Sequence, residues 1–229
     1  MGKLNASLIL YILAGVLLVL AVFINNEDFA LTVKPIILPA IFVYYFNKVK
    51  GDIDGLFVLS LFLFFIGDML YLLGENEFYE IGLIIYALPY LLILFFLIKD
   101  LRFVFSKNKK LDYTFIGVLV FLSCLLFCVL NVLDNRPIEL LVFYFVFGLE
   151  LILMGVITTI LFFHTNNKRI FFMIIAVTAF ILSDLFFILN KEVFQLKLFK
   201  LINVSAQTLS YYFYVKYYLE RDNLIKYST

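Results

Sequence analysis

GLFVLSLFLFFIGDMLYLL, residues 55–73, carries a single charged side chain, Asp68, in nineteen positions. A run of about 20 predominantly apolar residues spans the roughly 30 Å of a bilayer's hydrocarbon, so this stretch reads as a transmembrane helix. Runs of the same kind recur between short polar breaks, and they predict spans near 4–24, 29–47, 55–73, 79–98, 113–133, 138–163, 170–189 and 194–219. The expectation is an all-α, polytopic membrane bundle of about eight transmembrane helices, forming a single integral membrane domain over 1–229. Composition agrees: 65% of residues are hydrophobic and 15% charged, against about 25% charged in soluble domains. Lys3 ahead of an apolar run resembles a secretory signal, but Leu8 to Ile24 is longer than the usual apolar segment of about 7–15 residues and reads as the first span.

The polar breaks alternate in sign. Thirteen of the eighteen basic residues, from Lys3 through Lys48, Arg102, the Lys107–Lys110 loop, Arg169 and Arg221 to Lys226, fall on one side. Lys34, Arg136, Lys191, Lys197 and Lys200 fall on the other, among Glu27, Asp28, Glu75, Glu77, Glu80 and Asp134. Positive loops stay cytoplasmic, so both termini are expected inside and the Glu75–Glu80 loop outside, in a plasma or inner cell membrane. Net charge is +1, and without a basic face nucleic acid is excluded as a partner. Cys124 and Cys128 share one helix face and read as packing residues. With His164 the only histidine, no zinc-type ligand cluster exists and no metal or other cofactor is expected. Nothing in the residues names a protein partner.

Residues 64–73, FFIGDMLYLL, align with 180–189, FILSDLFFIL: a small residue, an Asp and an apolar tail, 116 positions apart. Four spans separate them, so a 4+4 parallel internal repeat is one reading. A charged side chain at mid-span costs roughly 2.5–3.5 kcal/mol, so Asp68 and Asp184 ask for a reason. Counting from the span ends, Asp68, Asp184 and Lys34 sit at one depth, roughly 7–8 Å below the outer surface. Glu150 and Tyr90 lie deeper. A polar cavity opening outward accounts for all five. The alternative is structural, with carboxylates bonded across helices and Lys34 reaching to the interface. Gly67 and Ser183 are expected to let a neighbouring helix approach each Asp. Pro35, Pro39 and Pro89 bend their spans. Tyr44, Tyr45, Tyr217 and Tyr218, near span ends, read as an interfacial aromatic belt.

Taken in order, these features resemble the YhhN family of membrane proteins, whose characterised members are lysoplasmalogenases. The matching pieces are Lys34-Pro35, Gly67-Asp68, Gly82, Ser183-Asp184 and Ser210-Tyr211-Tyr212. An Ala-His pair common in the family's fourth span is replaced by Pro89-Tyr90, and an Ala-Gln pair after the eighth-span tyrosines by Tyr214-Val215. The resemblance implies hydrolysis of the vinyl-ether bond of a lysolipid, with a membrane lipid or lysolipid as the substrate partner. It implies Asp68 and Asp184 as catalytic carboxylates, supported by Lys34, Tyr90, Glu150, Tyr211 and Tyr212. Lys34 is expected to face Asp68 across an antiparallel helix pair and to favour its carboxylate form. Asp184, with no basic partner at its depth, is the better candidate acid. Two other readings stand beside the hydrolase: a proton-coupled transporter using the carboxylates as a relay, and an inactive relative that binds lipid.

Overall fold

The computed structural model describes residues 5–49, 53–73, 78–105, 113–165 and 167–225, with side chains through 221. Lys3, Lys50, Glu75, Asn76, Glu77, Lys107, Asn108, Lys109, Lys110 and Lys226 lie outside the described residues. The described residues form eight α-helices: α1 (Ala6–Ile24), α2 (Glu27–Lys48), α3 (Gly55–Leu73), α4 (Tyr79–Phe105), α5 (Phe115–Val132), α6 (Ile138–Thr165), α7 (Lys168–Leu189) and α8 (Lys197–Ile225). A π-helical turn, Asn190–Phe194, prolongs α7.

Side-chain caps define several ends. Asn5 Oδ1 accepts from the Ser7 N–H at 3.1 Å and opens α1. Asn25 closes it in the left-handed region at φ 59, where asparagine is tolerated better than most residues. Asn26 then caps α2 by accepting from the Phe29 N–H at 2.9 Å. Two asparagines thus make a very short reversal between antiparallel helices. Gln195, at φ 46, ends the π turn in the same way.

Sequential helices pair as hairpins, α1 with α2, α3 with α4, α5 with α6 and α7 with α8. The two halves join where α4 packs on α6 and where α8 packs on α1 and α2. Seven helices are long and apolar enough to cross a membrane on their own composition. The eighth, α8, is 29 residues long but more polar. Its Val204, Ser210, Tyr211, Tyr214, Val215, Tyr217 and Tyr218 are buried by other helices. A helix walled by protein does not need an apolar outer face.

Large apolar residues such as Leu10, Phe62, Phe121 and Phe127 cover the outside, as lipid solvation requires. Cys124 and Cys128 also lie exposed on α5, so the packing role expected for them is corrected. The tyrosine belt is corrected too. Tyr44, Tyr45, Tyr217 and Tyr218 are all at most 3% exposed, because α8 runs through the bundle and turns its aromatic face onto α2, α3 and α4. Phe57 stacks on Tyr218 with centroids 4.0 Å apart, and Phe96 meets the same ring at 5.2 Å.

Candidate functional site

The bundle has two ends, one where α1 begins and α8 ends and one that holds the π turn and the α1–α2 reversal. Asp68 lies toward the latter, on α3, and is 4% exposed. Gly67 beside it makes room for a ring: a Cβ there would stand 2.6 Å from the Tyr86 ring carbons. Tyr86 therefore packs closely against α3 and its hydroxyl donates to Asp68 Oδ1 at 2.6 Å. Gln207 Nε2 donates to the same oxygen at 3.1 Å, and Tyr211 donates to Oδ2 at 3.0 Å. Lys34 Nζ completes the set at 3.0 Å from Oδ1. The cation expected opposite Asp68 is there, with 19% of its side chain exposed. Four donors on one carboxylate leave it little capacity for a further partner.

Asp184 has a different environment. Tyr90 donates to its Oδ2 at 2.6 Å, and no other described residue hydrogen-bonds it. Asp184 lines a cavity of about 50 Å3 together with Lys34, Tyr86, Gln207, Asn203, Tyr71, Leu83, Phe147, Phe187 and Ile188. That exceeds the roughly 10–15 Å3 a cavity needs to admit water. Asn203 is held by Ser183, donating to its carbonyl at 2.9 Å and its hydroxyl at 3.0 Å. Ser183 thus acts as a hydrogen-bonding seat, whereas Gly67 acts sterically as expected.

The structure brings Asp68, Lys34 and Tyr211 into one cluster and sets Asp184 with Tyr90 alongside it. Two residues fall elsewhere. Tyr212 turns toward α1, where its ring stacks on Tyr11 at 6.5 Å. Glu150 is buried on α6 but does not line the cavity, and its Oε2 has no hydrogen-bond partner. Three contributors were not among the expected residues: Tyr86, Gln207 and Asn203. Tyr86 precedes Tyr90 by four residues and Gln207 precedes Tyr211 by four, so each shares a helix face with a residue that was expected. An Ala-Gln pair does occur in α8, as Ala206-Gln207, one turn before the tyrosines.

Several contacts cross between the two halves. Phe64 and Phe180, 116 positions apart, stack on each other with centroids at 5.3 Å and planes at 11°. Tyr90 of α4 serves Asp184 of α7, while Gln207 of α8, 117 positions later, serves Asp68 of α3. Tyr90 and Gln207 thus each reach a carboxylate of the other half, while Tyr86 and Lys34 hold Asp68 from its own half.

Both ends are tied by polar groups. Toward the π turn, Tyr79 and Tyr144 share a 2.5 Å hydrogen bond, Tyr144 donates to Glu192 at 3.1 Å, and Arg136 pairs with Glu192 at 2.9 Å. Toward the termini, Asp100 accepts from Tyr217 at 2.6 Å and pairs with Arg221 at 3.2 Å and Arg169 at 3.4 Å. Tyr218 bonds Asp54, and Ser60 lies 2.9 Å from the Tyr214 hydroxyl. This second network ties α3, α4, α7 and α8 together beneath the cavity.

No curated protein and no solved structure matches the chain. The YhhN family model matches residues 29–218, a range that takes in Lys34, Asp68, Tyr86, Tyr90, Asp184, Gln207 and Tyr211. With most of its length and every polar residue of the cavity inside that match, the chain belongs to the YhhN family.

Proposed function

We propose that the chain is a membrane-embedded hydrolase of the lysoplasmalogenase type, cleaving the vinyl-ether bond of a lysolipid by carboxylate acid/base chemistry. The observation that carries this reading is the inequality of the two aspartates. Asp68 is saturated by Lys34, Tyr86, Gln207 and Tyr211, whereas Asp184 has one phenol donor and borders the cavity. In glycoside cleavage one carboxyl can act first as acid and then as base while its partner stays ionised, and the same division suits a vinyl ether.

The reaction begins with proton transfer from Asp184 to the vinyl carbon distant from oxygen. The double bond's electrons form the new C–H bond, and the adjacent carbon becomes an oxocarbenium ion. Water in the cavity adds to that carbon and gives its proton to the Asp184 carboxylate, regenerating the acid. The resulting hemiacetal collapses to a fatty aldehyde and a glycerophospho alcohol. Asp68 balances Lys34, so the cavity wall presents an ammonium to the lipid phosphate without an uncompensated cation beside the oxocarbenium. No catalytic part falls to Glu150 or Tyr212. The charge bias of the loops directs the cavity to the outer leaflet of the cell membrane, with both termini cytoplasmic.

The test is mass spectrometry of a lysoplasmalogen before and after incubation with the purified protein in detergent. Aldehyde release by the parent and its loss in Asp184→Asn, with lysolipid binding retained, supports the reading. No turnover of any lysolipid by folded protein refutes it. A proton-coupled transporter is favoured by one observation, the ion network around Asp100 that closes the far end of the bundle. That reading requires substrate movement across vesicles without aldehyde release.

A further inference from the structure

The cavity beside Asp184, at about 50 Å3, is far smaller than a lipid. A hydrocarbon chain attached to that bond must leave through a wall. On the α6 and α7 side the wall consists of Phe147 and Ile188, and the same two residues line a second hollow. This hollow lies between α5, α6 and α7. Leu126 and Val129 of α5, Leu151 of α6 and Leu185 of α7 contribute to its lining, which is apolar apart from the Tyr144 phenol.

The helix that closes it is loosely held. Only Leu122 of α5 is buried, and α5 packs mainly on α6. Its approach depends on two glycines: Cβ atoms at Gly148 and Gly155 would stand 2.4 Å from a Leu126 methyl and 2.7 Å from a Leu122 methyl. The wall opposite the polar side of the cavity is therefore both apolar and formed against the least buried helix.

We infer that the hollow between α5, α6 and α7, itself about 50 Å3, takes the first methylenes of a single-chain lipid whose polar end reaches Asp184, with Phe147 and Ile188 forming the sill between these methylenes and the reacting bond and the rest of the chain lying in the bilayer beside α5. The inference rests on the lysolipid reading above. Two larger grooves compete for the chain, one of about 290 Å3 between α2 and α3 at Pro39 and Phe62, the other of about 520 Å3 between α1 and α8 at Gly15 and Leu209. Neither shares a lining residue with the cavity. A chain covalently joined to the reacting bond needs continuity, so contiguity outweighs size.

The experiment uses the full chain in detergent and an alkyl-ether lysolipid, which resists hydrolysis, with a photoactivatable diazirine on the chain carbons nearest the ether. After illumination, labelled peptides are mapped by mass spectrometry with and without unmodified lysolipid as competitor. Competed label on α5, α6 or α7 around Leu126, Leu151 and Leu185 is the expected result. Competed label on α1 and α8, or on α2 and α3, overturns the inference, as does the absence of competed label from a protein that turns lysoplasmalogen over. Leu126→Trp provides a second reading. Displacing about two methylenes should weaken lysolipid binding about tenfold while the chainless glycerophospho-base binds within about twofold of the parent. Equal weakening for both ligands overturns the inference. Turnover of lysoplasmalogen is measured in parallel: turnover with label elsewhere refutes the chain site alone. Competed label between α5 and α7 without turnover refutes hydrolysis and leaves the chain site standing.

Discussion

Asp68→Asn keeps the shape of the side chain and removes its charge, which isolates the worth of the pair with Lys34. The ammonium lies 3.0 Å from Oδ1, and the two side chains are 19% and 5% exposed. Removing one partner of a buried pair costs about 3–5 kcal/mol, because the other charge is left uncompensated in a medium that solvates it poorly. Lys34 retains some access to the cavity, which places the expected loss at the lower end, about 3 kcal/mol, or more than a hundredfold in the folding equilibrium. An asparagine amide would also turn a donor toward one of the groups that now donate to Asp68, Tyr86, Gln207 or Tyr211. The assay is denaturant unfolding in detergent micelles, followed by far-ultraviolet circular dichroism, on Asp68→Asn, Lys34→Met and the double variant. The double variant should be at least about 1 kcal/mol more stable than the sum of the single losses predicts, since it leaves no orphan charge. Strict additivity, or an Asp68→Asn loss below about 0.5 kcal/mol, would falsify the account and make Lys34 a lysine that merely reaches for the interface.

Gly67→Ala puts a methyl 2.6 Å from the Tyr86 ring; overpacking of this kind costs about 1–3 kcal/mol, and displacement of the phenol from Asp68 should lower turnover more than it lowers lysolipid binding, a split read from kcat and KM. Asp100→Asn leaves Arg169 and Arg221 without their shared carboxylate; a loss of about 3–5 kcal/mol in unfolding free energy is expected, with the residual folded protein retaining parental KM because the network lies at the other end from the cavity. Membrane-impermeant thiol labelling of intact cells, on a background lacking Cys124 and Cys128, should reach Asn76→Cys and spare Asn108→Cys; the opposite pattern inverts the topology and moves the cavity to the inner leaflet.

The membrane fold and the sites of its charges were legible in the chain because lipid imposes a one-dimensional rule. Every span must hide its backbone and present apolar side chains over a known length, so α1 through α7 stand out from their composition, and Asp68 and Asp184 stand out against it. The pairing of Lys34 with Asp68 followed from antiparallel neighbours at equal depth. What faces what around the bundle axis was not legible. Aromatic and aliphatic residues satisfy lipid and protein neighbours alike, so nothing in Tyr217 or Tyr218 distinguishes a belt from a core, and nothing in Cys124 and Cys128 distinguishes a core from the lipid face. Only the packing of α8 through the bundle buries those tyrosines. The same packing carries Gln207 to Asp68 across 139 residues of sequence, while α4 brings Tyr90 to Asp184 across 94. It also turns Tyr212 toward α1 and leaves Glu150 outside the cavity. Depth along a helix is set by counting residues from the bilayer's edge, whereas rotation about it is set by which neighbours fill the grooves, and that is decided by the tertiary structure alone.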